Sequence, residues 1–285
     1  MAGSRSVRER LETAVSDRHS GATAIALSAA AALEDLAGEM TGARLRTAAL
    51  GWARRLVEAH AVMAPLRHLE STVGRSLQAL DPVAALAQAA REFRVRLVEE
   101  QDSVAQFGAG LLGKDRRILV FSASSTMRAC LVKACPQRVL CAASEPGGEG
   151  RTMAKVLARD GIEAVVFPDT GVRVAVGQAD AVLLGCDALG PGSFMNKLGT
   201  LTVAHAALAA GVSCYLLAGR SKLLGAETYA GLRSPEAPAR AGSLSVPIFE
   251  ATPLKGLTAV AMDDGPVAPE TAGRRAARLE LTEYH

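Results

Sequence analysis

An aspartate and an Asn-Lys pair give the chain residue types that could do acid/base chemistry on an anionic ligand. Asp187 follows the apolar run 181–184, which is typical of a buried parallel strand. Asn196 and Lys197 come just before 201–210, an Ala/Leu run with helical spacing, so we expect them to open that helix. A helix N-terminus offers free backbone N–H groups and the positive end of a dipole, which favour an anion. The pattern predicts proton transfer by Asp187 on a phosphorylated small molecule.

The loops that follow the predicted strands hold the other candidates for ligand contact. In a parallel sheet, ligands bind outside the carboxyl ends of the strands. Four loops should meet at that edge: 122–126, 144–151, 185–200 and 219–222. Hydroxyl groups that can donate to phosphate or sugar oxygens come from Ser122, Ser124, Ser125 and Thr126. Positive charge comes from Arg151, Lys197 and Lys222.

Short apolar runs alternate with helical stretches after residue 116, which predicts an α/β fold built on a parallel sheet covered on both faces. The five predicted strands are 118–121, 139–142, 164–167, 181–184 and 214–217. The helical stretches between them are 127–134, 151–159, 173–177 and 201–210. Two further extended segments, 246–249 and 257–262, are expected to add edge strands.

The chain before residue 114 has helical spacing throughout. Four helices are predicted, at 22–36, 43–67, 82–101 and 103–112. Asp81 is expected to cap the third of them, with Pro82 at its first position. We therefore divide the chain into a helical N-terminal domain, 1–113, and a domain at 114–285 that carries the phosphate-binding loops.

Charge and composition argue against several classes of protein. A net charge of +3 and 4% aromatic residues do not make a nucleic-acid footprint. The apolar run 22–33 is too short to span a bilayer, and residues 1–12 are charged, so we expect no membrane association and a cytoplasmic location. The five cysteines form no Cys-x-x-Cys pair, which is typical of small buried side chains in a reducing compartment. We expect no metal and no cofactor.

A series of motifs along nearly the whole chain resembles one known family. It joins methylthioribose-1-phosphate isomerase, ribose-1,5-bisphosphate isomerase and the regulatory alpha, beta and delta subunits of eukaryotic initiation factor 2B. The matching motifs are Ser20-Gly-Ala-Thr-Ala-Ile25, Phe121-Ser-Ala-Ser-Ser-Thr126, Ser144-Glu-Pro-Gly-Gly-Glu-Gly-Arg151, Gly185-Cys-Asp-Ala-Leu189, Asn196-Lys-Leu-Gly-Thr200 and Phe249-Glu-Ala-Thr-Pro253.

The resemblance implies a helical N-terminal domain, a Rossmann-like C-terminal domain, a homodimer and a sugar-phosphate or nucleotide-phosphate pocket between the domains. In the isomerases an aldose 1-phosphate becomes a ketose 1-phosphate, and an Asp and a Cys carry the chemistry. The Asp matches Asp187, whereas the Cys position holds Ser122 here. The N-terminal motif places Ser20, Gly21 and Ala22 at the substrate, although the isomerases carry Arg where this chain has Ser20.

The sequence leaves two hypotheses about function. In the first, the protein is an aldose-ketose isomerase in which Asp187 moves protons, Ser122 polarises the substrate, and phosphate rests on the 124–126 loop, Arg151 and the Asn196-Lys197 helix start. In the second, it is a non-catalytic regulatory or metabolite-sensing protein of the initiation-factor type, which the missing Cys favours. Cys186 neighbours Asp187, but alternation along a strand predicts that it points away from the Asp187 pocket, unless the loop turns sharply there.

Overall fold

The computed structural model describes residues 5–114, 116–236 and 244–279. Up to Leu112 the described chain is helical and forms five helices: α1 Val7–Ser16, α2 Ala22–Glu39, α3 Gly42–Ala59, α4 Ala64–Ser76 and α5 Pro82–Leu112. Their apolar faces pack into one core around α2, whose small alanines allow the neighbouring helices to approach closely. None of the helices in the described ranges is long and apolar enough to span a bilayer.

The helix boundaries follow local sequence signals. The Asp81 carboxylate accepts hydrogen bonds from the N–H groups of Val83 and Ala84, both at 3.1 Å, which confirms its predicted capping role. The predicted helix 43–67 is two helices, because the chain turns after Ala59 and restarts with Pro65 in the first turn of α4. The predicted break after residue 101 is wrong, since α5 runs without interruption to Leu112.

The remaining chain alternates strands and helices. The ten strands described are β1 Arg117–Val120, β2 Arg138–Ala142, β3 Ala164–Phe167, β4 Ala181–Leu184, β5 Ala188–Leu189, β6 Ser193–Lys197, β7 Ser213–Leu217, β8 Phe249–Pro253, β9 Ala259–Met262 and β10 Gly265–Val267. The helices among them are α6 Ser125–Ala134, α7 Glu149–Arg159, α8 Val172–Val176, α9 Thr200–Ala210, α10 Ala226–Ala230 and α11 Pro269–Ala277.

The large sheet contains the five predicted strands together with β9 and β10, in the order β10-β9-β7-β4-β1-β2-β3. The segment predicted at 257–262 as an edge strand is β9, which lies inside the sheet next to the edge strand β10. All neighbours are parallel except β10, which pairs antiparallel with β9. Successive residues of β1 enter different cores: Ile118 and Val120 pack under α5, α6 and α7, whereas Leu119 packs towards α8, α9 and α11. This alternation buries both faces of the sheet, as the α/β prediction requires.

A second sheet of three antiparallel strands, β5-β6-β8, corrects two predictions. Asn196 and Lys197 end strand β6 and do not open a helix, because they pair with Glu250 and Phe249 of β8. The extended segment predicted at 246–249 begins its strand only at Phe249, and that strand joins this small sheet and not an edge of the large one.

Helix α5 belongs to both halves of the molecule. Its first turns pack Leu86, Phe93 and Leu97 into the helical core. Its last turns bury Val104 and Leu112 in the core under the sheet. The division of the chain at residue 113 therefore stays a prediction, while the helical part and the sheet are joined by one continuous helix.

Candidate functional site

A cavity of about 660 Å³ lies where the helical part meets the carboxyl edge of the sheet. The helical part contributes the turn before α2 and the connection between α3 and α4. The sheet contributes the loops after β1, β2 and β4, with the end of β6 and the turn after β7. The predicted convergence of loops at this edge is thus what the structure shows. Of the predicted site residues, those that line the cavity are Ser20, Gly21, Ala22, Ser122, Ser124, Ser125, Asp187, Asn196, Lys197 and Lys222.

Among the helix starts that reach this cavity, those of α2 and α6 lie against each other. Ser124 caps α6, and its Oγ accepts the Met127 N–H at 3.4 Å. Gly21 is the N-cap of α2, and no side chain of the described residues caps that helix. A Cβ placed on Gly21 would lie 3.8 Å from the Ala123 carbonyl oxygen, so the two helix starts are in contact. Backbone N–H groups and two dipoles of the same sign therefore favour an anion here.

Asp187 lies beyond the carboxyl end of β4 and is fixed through its backbone. Its N–H donates to the Met195 carbonyl and its carbonyl accepts the Ala64 N–H, both at 2.9 Å. Burial raises the pKa of its carboxyl group to about 6, while Lys222 and Lys197 oppose the rise. A carboxyl group with this pKa is present in both protonation states near neutral pH, which suits a general acid and base.

Lys222 is only 7% exposed and lines the cavity. Within the described ranges its ammonium group has neither an ion pair nor a hydrogen bond to a side chain. The turn that carries it is held from outside the sheet: the Glu100 carboxylate of α5 accepts both the N–H (2.8 Å) and the hydroxyl of Ser221. In addition, Nε2 of His68 in α4 lies 2.9 Å from the Leu223 carbonyl. The buried cation is thus fixed in place by the helical part.

Lys197 and Asn196 are buried but already have partners in the protein. Lys197 Nζ lies 2.5 Å from Oε1 of Glu149, the first residue of α7. The Asn196 amide donates to the Thr200 hydroxyl at 3.0 Å. The α9 N-terminus, predicted as the phosphate site, is occupied by Glu250, whose Oε1 accepts the N–H groups of Gly199 (2.7 Å) and Leu201 (2.9 Å). The prediction that a phosphate binds at the α9 N-terminus is therefore corrected, because a carboxylate of strand β8 already accepts these N–H groups.

Ser122 follows β1 with a left-handed backbone, at φ +65°, which is uncommon for a residue other than glycine. Its N–H donates to the Ser144 hydroxyl at 2.8 Å, which ties the loops after β1 and β2 together. Ser144 also has a positive φ, +61°, and its N–H donates to Asp169 at 2.7 Å. These bonds hold the Ser122 hydroxyl at the cavity wall in a conformation that costs energy.

Arg151 and Thr126 do not line the cavity. Arg151 is exposed and its guanidinium pairs with Glu145 at 3.1 Å, so its predicted phosphate contact stays a prediction. Thr126 lies in the first turn of α6, next to Ser125, which does line the cavity. Cys186 and Asp187 both line it, because the chain has left β4 before them and strand alternation no longer applies. Burial raises the pKa of the Cys186 thiol, which keeps it protonated.

Several cavity residues carry no sequence signal of their own. The connection between α3 and α4 contributes 59–63, including His60, whose Nε2 lies 2.8 Å from the Ala14 carbonyl. Burial lowers the pKa of His60, so its ring is neutral. Only the tertiary contact with the sheet brings this connection to the cavity. Within the described residues no group of three or more metal-binding side chains comes together.

The chain is similar to proteins named as ribose 1,5-bisphosphate isomerases and as translation initiation factors. The model of the initiation factor 2 subunit family matches residues 4–234. Ribose 1,5-bisphosphate isomerase of Haloferax volcanii is 28% identical over 88% of this chain and 85% of its own. That of Methanocaldococcus jannaschii is 25% identical over 76% of each. The crystal structure of translation initiation factor eIF-2B of Pyrococcus horikoshii superimposes with a TM-score of 0.82, at 25% identity, over 94% of this chain and 99% of its own.

Proposed function

The chain belongs to the initiation factor 2 subunit family, and from that premise we propose that it is a sugar-phosphate isomerase that converts an aldose 1-phosphate into a ketose 1-phosphate. One observation carries the proposal: Asp187, with its pKa raised to about 6, lies in the same cavity as a buried lysine and two uncapped or weakly capped helix N-termini. Two relatives that the chain matches over most of their length are ribose 1,5-bisphosphate isomerases. The substrate is of the ribose-1,5-bisphosphate or the methylthioribose-1-phosphate type.

Asp187 would serve as both acid and base. Opening the sugar ring requires a proton on the ring oxygen as its bond to C1 breaks, and the protonated carboxyl group can donate it. The resulting carboxylate can then accept the proton of the C2 hydroxyl, as the hydrogen on C2 moves with its electron pair to C1, which the ring opening has left electron-poor. The carboxyl group ends as it began, so the reaction needs no net proton. Its raised pKa makes both transfers feasible near neutral pH.

The phosphate would rest at the meeting point of α2 and α6. Its hydrogen-bond donors would be the N–H groups in the first turns of both helices and the Lys222 ammonium group, which line the cavity. The Ser122 hydroxyl would polarise the substrate without acting as a base, because a hydroxyl needs an adjacent base to lose its proton. This arrangement replaces the contacts predicted for Arg151 and for the Asn196-Lys197 pair.

A second candidate function is metabolite sensing without turnover, as in the regulatory subunits of initiation factor 2B. The observation that favours it is Ser122, because the isomerases carry a Cys at that position. In either case we infer a homodimer, in line with the family resemblance. Edge strand β3 supports it, since Val165 and Val166 are 39% and 40% exposed and would be covered by a partner. Sedimentation as a monomer at micromolar concentration would contradict the dimer.

The proposal is tested by replacing Asp187 with Asn. We expect ketose 1-phosphate formation, followed by NMR with a panel of pentose 1-phosphates and bisphosphates, to fall by about 10²–10⁴-fold, because general acid/base catalysis is worth that much. Binding measured by calorimetry should persist.

The matched control is Asp180→Asn. Asp180 precedes β4 at the opposite edge of the sheet, where it pairs with Arg117 at 2.9 Å, so turnover should not change. A wild-type protein that binds a member of the panel without converting it would establish the sensor instead. A protein that binds no member would overturn both functions.

A further inference from the structure

We propose that Glu149 restricts the cavity to ligands with a single phosphate, by neutralising Lys197 and by offering its second oxygen to a ligand hydroxyl. The inference rests on the proposed function and narrows its substrate: the ligand is a sugar monophosphate whose other end is uncharged. It separates this chain from the ribose 1,5-bisphosphate isomerases that it resembles.

The first observation is that the side chains that line the cavity include more acidic than basic groups. The acidic side chains among its described lining residues are Asp17, Glu149, Asp187 and Glu236, and the basic ones are Arg18, Lys197 and Lys222. Carboxylates thus outnumber cations here, although the whole chain has a net charge of +3. A phosphate ester carries a charge of about −1.5 to −2 at neutral pH. The cavity therefore has positive charge enough for one phosphate but not for two.

The second observation is that Lys197 is not available to a ligand. It is 4% exposed, and its Nζ lies 2.5 Å from Oε1 of Glu149, whose side chain is 17% exposed. Because both side chains are largely buried, the attraction between them is strong. Withdrawing the lysine would leave the Glu149 charge buried without compensation. A phosphate that approached Lys197 would also approach the Glu149 carboxylate, which repels it.

Of the two other cations that line the cavity, only Lys222 is buried. Arg18 is an exposed residue, and its Nη1 is shared between the carbonyl oxygens of Val15 and Ala59, both at 3.2 Å. Lys222 is buried and has no ion-pair partner within the described part of the chain. The buried ammonium group and the N-termini of α2 and α6, which all line the cavity, provide one anion subsite.

Oε2 of Glu149 is the third observation. It is buried and has no hydrogen-bond partner among the described residues, while Glu149 itself lines the cavity. A buried carboxylate oxygen without a donor is costly, and a ligand hydroxyl would satisfy it. The lack of a side chain at Gly147 and Gly150 leaves room for this arrangement: a Cβ on Gly147 would lie 2.3 Å from Glu149 Oε1, and one on Gly150 would lie 1.6 Å from the Ala142 carbonyl oxygen.

Part of the remaining wall is apolar and suits an uncharged group. Its apolar residues include Val62, Met63, Phe121, Met127, Ile248 and Phe249. A second phosphate placed among these side chains would lose its hydration without gaining donors, which is unfavourable. The ligand class that fits is a pentose with one phosphate, free hydroxyl groups and a neutral substituent or a plain hydroxymethyl group at C5.

The test compares ribose 1-phosphate with ribose 1,5-bisphosphate in calorimetric titrations of the wild type and Glu149→Gln. We expect the wild type to bind the monophosphate at least about tenfold more tightly, since one like charge at close range costs that much. Glu149→Gln should bind the bisphosphate about tenfold more tightly than the wild type does, because Lys197 becomes available. Its affinity for the monophosphate should fall by about tenfold, because the neutral amide is a weaker acceptor.

Glu145→Gln is the matched control. Glu145 lies in the same turn, is exposed, and pairs with Arg151, and neither residue lines the cavity, so both affinities should stay unchanged. Equal affinity of the wild type for the two ligands would overturn the inference and leave the proposed function standing. Equal weakening of both ligands in a folded Glu149→Gln protein would also overturn it, since Glu149 would then act only on the structure. Binding of neither sugar to the wild type would overturn the proposed function and the inference together.

Discussion

Helices α6 and α9 both begin beside the cavity, yet only one of their N-termini is open to a ligand. At α9, Oε1 of Glu250 accepts two backbone N–H groups, from Gly199 and Leu201. At α6, the one capping bond from a side chain in the described structure is that of Ser124, at 3.4 Å, and the first turn lines the cavity. The N-terminus of α9 is therefore already bound to a carboxylate of the protein, whereas the N–H groups at the N-terminus of α6 remain available to a ligand.

The difference shows that a strand followed by a loop and a helix does not by itself define an anion site. Helix α6 follows β1 of the seven-stranded sheet and α9 follows β6 of the three-stranded sheet, and both helices have small polar residues at their starts. What closes α9 is a carboxylate located about 50 positions further along the chain, on β8. The availability of a helix N-terminus is therefore a property of tertiary structure, and three changes can test the contrast.

The largest expected effect comes from closing the open end. In Ser125→Glu the new carboxylate lies in the first turn of α6 and takes the place that a phosphate would occupy. Affinity for a sugar phosphate should fall by about 100-fold, from the lost charge-assisted bonds and the added repulsion. The free energy of unfolding should stay constant or rise by about 0.5 kcal/mol, because an acidic residue stabilises a helix start. Calorimetry and urea denaturation measure the two effects.

Thr126→Glu is the control for this change. It adds the same charge to the same turn, but Thr126 does not line the cavity. We expect affinity to fall by less than about threefold, as for a screened charge at a distance. Equal losses in the two variants would mean that the phosphate does not rest on this turn.

An intermediate effect is expected from opening the closed end. Glu250→Ala removes the acceptor for the Gly199 and Leu201 N–H groups, which should lower the free energy of unfolding by about 1–2 kcal/mol, as for other lost caps. Sugar-phosphate affinity should change by less than about twofold. Urea denaturation of this variant is compared with that of Glu227→Ala, which removes an exposed acidic side chain from the first turn of α10. A large loss of affinity would mean that the two ends are not independent.

The smallest effect concerns Asp187, whose carboxylate receives no hydrogen bond from the described residues, unlike that of Glu250. Because its pKa is raised to about 6 from 3.8, the native state binds more protons than the unfolded state between these values. The free energy of unfolding of the wild type should therefore decrease as the pH rises from about 4 to 6.

Asp187→Asn lacks this decrease. The difference in unfolding free energy, variant minus wild type, should be about 1 kcal/mol more positive at pH 7.5 than at pH 4, once solvent at the partly exposed carboxylate is taken into account. Urea denaturation at the two pH values measures it. A difference that does not depend on pH would show that Asp187 ionises normally.

The fold was predictable because its signals are local. Strands β3 and β4 lie at the predicted residues, and β1, β2 and β7 lie within one residue of them, since each is a continuous apolar run between polar loops. The β5–β6 hairpin was missed, because its strands are short and β6 is stabilised by pairing with β8, more than 50 residues away. The local pattern of apolar residues around β6 does not reveal that β8 pairs with it.

The site was predictable where the chemistry lies in strand-end loops and not where it depends on partners. Asp187, Ser122 and Lys222 line the cavity as expected. Arg151 is paired with Glu145 and Lys197 with Glu149, and an ion pair between loops cannot be recognised from either residue alone. Their assigned roles remain predictions until the variants are measured.

The turn that carries Lys222 depends on residues much earlier in the chain, so the binding site requires both the helices and the sheet. Its contacts with Glu100 and His68 come from α5 and α4, which lie more than 100 residues earlier in the chain. The sheet alone would leave this cation without the helices that orient it. A change that disturbs the packing of α4 or α5 against this turn should therefore weaken ligand binding, so ligand occupancy reports on the contact between the helices and the sheet.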